Sequence, residues 1–285
     1  MKSIKSIFLY LLLMIGLMYI LLPFYWLVCT SFMTLTELGA KEQSLIPNHF
    51  TLENYFQVIL GGYSYGASQG AIFLRSILPY IGRSFIVAVS TAILVIILAS
   101  PAAYAYSRFN FKGKNIFFFI MLLLRSVPPI AIVVPFFMIM LRMQLINTLP
   151  GIILAHTSFT LPFSIWIFKD YLDALPRVLD EAAVIDGASP IIAFSRIILP
   201  NAKPGIFAVF IYTFLTSWSE FLYALVLLSS ETTLPPLLAG FQAANQVAWT
   251  QLAAASVISV ILPVIMAFLM QKYLIKGLVI ITKGF

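Results

Sequence analysis

The sequence predicts an all-α polytopic membrane protein with six transmembrane helices, and three observations carry that expectation. Of the 285 residues, 61% are apolar and 9% are charged, with a mean hydropathy of +1.02; a soluble domain is roughly 45–50% apolar and about 25% charged. No charge occurs between Lys5 and Glu37, Arg83 and Arg108, Arg142 and Lys169, or Glu231 and Lys272. Such runs can cross a hydrocarbon core of about 30 Å, which takes roughly 20 helical residues. An unpaired backbone group in lipid costs several kcal/mol, so each run is expected to be helical, and the alternating ~10-residue segments of a β-barrel are not visible.

The first apolar run, residues 7–29, follows Lys2 and Lys5 as a secretory leader would. It exceeds the about 7–15 apolar residues of a leader and ends in Trp26-Leu27-Val28-Cys29 instead of small cleavage residues, so it reads as a retained membrane helix. Cys29 stands alone in the sequence, which excludes an internal disulfide and leaves the role of a small buried apolar side chain. The remaining spans are expected near residues 84–106, 116–140, 150–168, 204–228 and 252–273. Pro128, Pro129, Pro135 and Pro162 fall inside them and are expected to kink them. The chain therefore divides into 1–83, a first span with an extracytoplasmic segment carrying short helices; 84–276, a five-helix core; and 277–285, a tail.

Orientation follows from Lys and Arg in the connections. With a cytoplasmic N-terminus the inner side carries Lys2, Lys5, Arg108, Lys112, Lys114, Lys169, Arg177, Arg196, Lys203, Lys272, Lys276 and Lys283, and the outer side Lys41, Arg75, Arg83 and Arg142. That twelve-to-four asymmetry puts both termini in the cytoplasm, with Gln69 outside and Arg125 at membrane depth. The basic residues sit one to three at a time between apolar runs, not in the interleaved patch of a nucleic-acid reader.

The long inner connection, residues 169–203, breaks the basic pattern by holding five of the ten acidic residues: Asp170, Asp173, Asp180, Glu181 and Asp186. Pro176 suits the first turn of a helix and Gly187 its left-handed end. Leu175, Val178, Ala182 and Ile185 give that helix one apolar stripe, flanked by Asp180 and Glu181 as acceptors for charge-assisted hydrogen bonds. Ser189-Pro190 is an N-cap and N1 pair opening a second helix, which Pro200 is expected to close. An amphipathic linker lying on the bilayer would favour Lys and Arg; a net acidic one fits docking to another protein better.

Glu181-Ala182-Ala183, three residues, Gly187, nine residues, then Ile197-x-Leu199-Pro200 resembles the EAA signature of membrane subunits in binding-protein-dependent ABC importers. The wider likeness covers nearly the whole chain and is greatest to maltose-permease G-type subunits of carbohydrate importers, through Asn54-Tyr55, Ala102-Ala103-Tyr104-Ala105, Asp186-Gly187-Ala188, Leu199-Pro200-Asn201-Ala202-Lys203-Pro204 and the terminal Lys283-Gly284. Ser219, where the family often has Asn, and a long segment 61–83 depart from it. The resemblance implies the type-1 importer fold in a bacterial or archaeal inner membrane. It implies a second permease subunit, related but different, two ATPase subunits that bind ATP and magnesium, and an extracytoplasmic binding protein delivering a sugar or oligosaccharide. It also implies coupling through Glu181, Ala182, Ala183, Asp186, Gly187, Ile197, Leu199 and Pro200. Glycerol 3-phosphate or another polyol is the alternative solute.

Arg125, His156 and Glu220 are the ionisable groups inside spans, where such groups face an interior or a water-filled cavity. Each has two readings, a translocation path or a structural hydrogen bond between helices, and for Arg125 and Glu220 the second is favoured. The chain carries no Gly-x-x-x-x-Gly-Lys-Ser/Thr phosphate loop, no His-Glu-x-x-His and no Gly-x-Ser-x-Gly, so neither ATP hydrolysis nor other catalysis is expected of it. A self-contained secondary transporter would show inverted halves, which are not visible here, and an intramembrane enzyme would need a catalytic constellation that His49 and His156 do not supply.

Overall fold

A computed structural model describes residues 2–40, 44–65, 71–229, 232–243 and 246–283. Lys41, Gln69, Glu231 and Gly284, used above, lie outside the described residues. In chain order the elements are α1 (Lys2–Ser31), α2 (Leu35–Leu38), α3 (Glu53–Leu60), β1 (Gly62–Tyr65), β2 (Ala71–Leu74), α4 (Leu78–Arg108), α5 (Lys114–Leu124), α6 (Pro129–Arg142), α7 (Leu149–Asp173), α8 (Val178–Ile185), α9 (Pro190–Asn201), α10 (Lys203–Trp218), α11 (Leu222–Leu227), α12 (Leu234–Gly240), β3 (Gln242–Ala243), β4 (Gln246–Val247) and α13 (Trp249–Lys283). Among the described residues four helices are long and apolar enough to cross a membrane, Ser6–Ser31, Leu78–Arg108, Leu149–Asp173 and Trp249–Gln271. Two bent pairs, α5 with α6 and α9 with α10, raise the number to as many as six. Among the described residues the fold is helical apart from two two-stranded antiparallel ribbons, of which β1–β2, with Gly62 opposite Leu74, lies in the long segment before α4.

The chain forms two compact units, one of residues 1–81 with 237–262 and one of 82–236 with 263–285. In the first, every side chain from Ser6 to Tyr25 is exposed, as lipid-facing apolar residues require. The end of α1 is buried and capped: Asn54 Nδ2 donates to the carbonyls of Ser31 and Met33, each at 2.9 Å. Gln251 Nε2 then donates to Asn54 Oδ1 at 3.2 Å and Gln57 Oε1 at 2.9 Å, which joins α3 to the start of α13. Cys29 is buried and free, as the sequence leads one to expect.

In the second unit, small residues bring helices together. Ala88, Ala92, Ala99 and Ala103 of α4 are fully buried, and in a membrane close packing of small residues replaces the hydrophobic drive that water supplies. Val95, Ala99 and Ala103 meet Ile165, Phe168 and Leu172 of α7, Ile198 and Ala202 at the end of α9, and Val209 of α10. Gly205 lets α10 approach α7, since a Cβ there would lie 2.7 Å from the Tyr171 ring. Ser164 and Thr213 share a hydrogen bond of 3.2 Å across the same pair of helices.

Two spans depart from the expected straight or gently kinked helices. Residues 116–140 do not form one helix: α5 ends at Leu124 and α6 leaves at 97°. The N–H groups of Arg125, Ser126 and Val127 fold back onto the carbonyls three residues earlier, and Pro128, with no N–H to donate and a disfavoured α conformation before it, completes the break. Pro135 and Pro162, by contrast, are carried inside continuous helices. The region expected at 204–228 is interrupted at Ser219, and α11 begins after Phe221.

Candidate functional site

The α7–α10 connection folds into the two short helices that the sequence predicts. Gly187 takes φ 78°, with its N–H on the Val184 carbonyl at 3.0 Å and the Ala188 N–H on the Ala183 carbonyl at 2.9 Å. That pair of bonds is the Schellman arrangement, which satisfies the last carbonyls of a helix and needs a left-handed residue. Ser189 Oγ accepts from Ile192 N–H and Pro190 occupies the first turn of α9. Pro200 does not close this helix, which runs on to Asn201 through a π-helical turn, Ala193–Ile198. The Leu199 N–H reaches the Phe194 carbonyl five residues back, a wider ring that absorbs the irregular hydrogen bonding beside a proline.

The helix α8 has one face inward and one open. Leu175 and Leu179 pack on the unit's core and Ala183 is buried, whereas Val178, Glu181, Ala182, Val184, Ile185, Asp186 and Gly187 are exposed. Of the signature residues, Glu181, Ala182, Asp186, Gly187 and Pro200 are therefore open to contact, while Ala183, Ile197 and Leu199 face inward. Asp180 is not the free acceptor that the sequence suggested. Its Oδ1 accepts the Tyr104 hydroxyl at 2.8 Å, and Arg108 Nε lies 2.9 Å from Oδ2. Arg108 Nη2 also donates to the Leu175 carbonyl at 3.1 Å, and Ser107 Oγ donates to Asp173 Oδ1 at 2.6 Å. No motif announced these partners, because they lie 66 to 76 residues apart in sequence.

The intramembrane groups separate into two places. His156, buried on α7, shares a hydrogen bond of 2.6 Å with Ser217 Oγ through Nδ1 and one of 3.1 Å with Glu220 Oε2 through Nε2. Glu220 in turn accepts the N–H groups of Tyr223 at 2.8 Å and Ala224 at 3.1 Å, so its carboxylate caps the first turn of α11. The pair thus ties α7 to the interrupted fifth span. Arg125 stands elsewhere, exposed at the α5–α6 break, with its guanidinium 4.5 Å from the Phe163 ring centre and hydrogen-bonded to the Tyr212 hydroxyl. Among the described residues no group of three or more His, Cys, Asp or Glu is placed to hold a metal ion.

Long apolar helices, two bent pairs and the capped turn between α8 and α9 define a polytopic membrane protein. Residues 96–280 match the family described as the binding-protein-dependent transport system inner membrane component, and the chain belongs to it. It is 36% identical over 262 residues to the trehalose/maltose transport system permease protein MalG of Thermococcus litoralis, covering 90% of this chain and 89% of that one. It is 32% identical over 264 residues to the trehalose transport system permease protein SugB of Mycobacterium tuberculosis, covering 91% of each. Among solved structures, a bacterial ABC transporter involved in the import of the acidic polysaccharide alginate shares the fold, with a TM-score of 0.72, 22% identity, and coverage of 95% of this chain and 97% of that one. As an ABC importer permease, the chain works with an ATPase and a binding protein and has no ATPase site of its own.

Proposed function

We propose that this chain is one half of the membrane pathway of an ATP-driven importer for a sugar or oligosaccharide. Its other half is a related but different permease subunit, and two ATPase subunits that bind ATP and magnesium drive the pair. The observation that carries the coupling role is the open face of α8: Glu181 and Ala182 beside exposed Val178 and Ile185, on a helix fixed in direction by the Gly187 cap. An apolar, partly acidic face with a small residue at its centre suits a cleft on a soluble partner. The sugar class follows from the trehalose and maltose transport named for relatives at 32–36% identity. Residues 84–276 form the permease core, 1–83 supply the first span and the extracytoplasmic segment, and 277–285 the cytoplasmic tail. Of the intramembrane groups, His156 and Glu220 hold helices together, whereas Arg125, tied to Tyr212 and Phe163 but exposed at a break in a span, is the one that can also meet solute.

In proteoliposomes, the chain alone is expected to hydrolyse no ATP and take up no solute, and the full set of subunits with the cognate binding protein to import sugars that the binding protein retains. Robust hydrolysis or uptake by the isolated chain ends this reading.

Both termini lie in the cytoplasm in this reading, which the twelve-to-four distribution of Lys and Arg supports. In a Cys29→Ala background, an impermeant maleimide added to intact cells is expected to label His49→Cys and to spare Lys112→Cys. Labelling at position 112 before lysis would reverse the orientation.

A further inference from the structure

We propose that Tyr104 and Arg108, at the end of α4, are positioning residues that join the coupling loop to the second span through Asp180, so that motion of α8 is passed directly to α4. This rests on the coupling role proposed for the loop. The loop is covalently continuous with α7 and α10, and nothing in the sequence links it to α4, 76 residues earlier. Spaced i, i+4, Tyr104 and Arg108 share one face of the last turns of α4. Both reach the same carboxylate, Tyr104 to Oδ1 at 2.8 Å and Arg108 to Oδ2 at 2.9 Å, and Arg108 also holds the Leu175 carbonyl just before α8 at 3.1 Å. A carboxylate hydrogen-bonded at one oxygen and ion-paired at the other is tied to α4 at two points.

Tyr104 engages the second short helix as well. Its ring centre lies 5.0 Å from that of Phe194 in the π-helical turn of α9, while its hydroxyl serves α8. One side chain of α4 therefore touches both halves of the loop. The neighbouring Ser107–Asp173 bond ties the same turn of α4 to the end of α7. The charge pair is well covered, with side-chain exposures of 7% for Arg108 and 18% for Asp180. Removing one partner from such a site strands the other, which is far more costly than losing a solvated surface pair. Glu181, the next residue, projects about 100° away around the helix and is exposed. Adjacent carboxylates thus point at different tasks, one outward at the partner and one inward at α4.

The test uses the complete transporter in proteoliposomes, with both permeases, the ATPase subunits and the binding protein. Arg108→Met is expected to reach the membrane and retain the ATPase on co-purification, while solute uptake per ATP hydrolysed falls about tenfold, within the usual range for coupling between distant sites. Tyr104→Phe, which removes only the hydroxyl, should lower the same ratio less, and Arg108→Lys should recover most of it by restoring the charge. A purely structural role would lower membrane level and leave the ratio unchanged in the protein that remains. If Arg108→Met imports with the wild-type ratio, or loses the ATPase while the remaining complex stays fully coupled, the link to α4 is not the transmitter. Ala182→Trp on the open face serves as the parallel arm. If it leaves ATPase association intact, the docking role of the loop fails and this inference falls with it; if it abolishes association while Arg108→Met stays fully coupled, only the link to α4 is wrong.

Discussion

Replacing Gly187 with valine is expected to release the ATPase subunit or break its coupling to transport, without loss of the membrane helices. A Cβ at this position meets nothing within 4 Å, so the obstacle is the backbone and not space. At φ 78° an L-residue pays roughly 1–2 kcal/mol, and a β-branched one fits that region worst. Relaxing the angle would break the bonds to Val184 and Ala183 and send residues 188–190 in a new direction, misplacing α9. Each 1.4 kcal/mol of docking energy is about a tenfold change in affinity, so co-purified ATPase should fall by about that factor. Gly187→Asn should be milder, since asparagine tolerates the left-handed region. Glu181→Ala removes an exposed acceptor and leaves the bend, and should weaken docking less than Gly187→Val. The readouts are membrane level, co-purified ATPase, ATP turnover and uptake. A Gly187→Val protein that assembles and transports at the wild-type rate would show that the loop is not the coupling element.

The largest effect on folding is expected from Gly151→Ala, a change of one methyl group. The new Cβ would lie 2.1 Å from the Leu145 carbonyl oxygen and 3.2 Å from Thr148 Oγ1. These atoms cannot retreat cheaply. Thr148 Oγ1 donates to that carbonyl at 2.7 Å and accepts the Gly151 N–H at 3.2 Å, capping α7. Asn147 beside it holds φ 59°, with its N–H on the Leu227 carbonyl at 2.8 Å and its Oδ1 accepting the Ser229 N–H at 3.2 Å. Moving the corner between α6 and α7 therefore unseats the end of α11. Overpacking of this kind costs about 1–3 kcal/mol, which should lower the thermal unfolding midpoint in detergent by several degrees and reduce the level in membranes. Gly16→Ala and Gly82→Ala, where a Cβ meets nothing within 4 Å, are the controls and should leave both unchanged. Wild-type stability for Gly151→Ala would mean that the corner is looser than its hydrogen bonds imply.

Much of the α7–α10 connection is legible in the sequence, because its signals are local. Pro190 in a first helical turn, Gly187 at a left-handed end and the Ser189 cap act within four residues, and all three stand where the sequence puts them. Pro176, expected in the first turn of α8, lies instead one residue before its N-cap Arg177, because the chain turns there before the helix starts at Val178. The misreading of Pro200 is local too, but of another kind. A proline stops an α-helix by its missing N–H and its clash with the preceding turn, and a shift to five-residue spacing moves those bonds out of register. The break at Pro128 was legible as a kink, yet nothing in the prolines fixes 97° over a smaller bend, which depends on what each half packs against.

The sequence by itself determined the class of protein, the helical character of its spans and the place of the knob between them. Lipid allows a backbone little choice, and hydropathy is a property that residues carry with them. Only the tertiary structure decided which of two adjacent carboxylates faces outward, that His156 pairs with Glu220, and that Arg108 reaches back to Asp180. Those pairings join residues 64 and 72 positions apart. Their partners are chosen by the close approach of helices through alanine and glycine, and no periodicity in the chain encodes which polar side chains that approach will bring into contact.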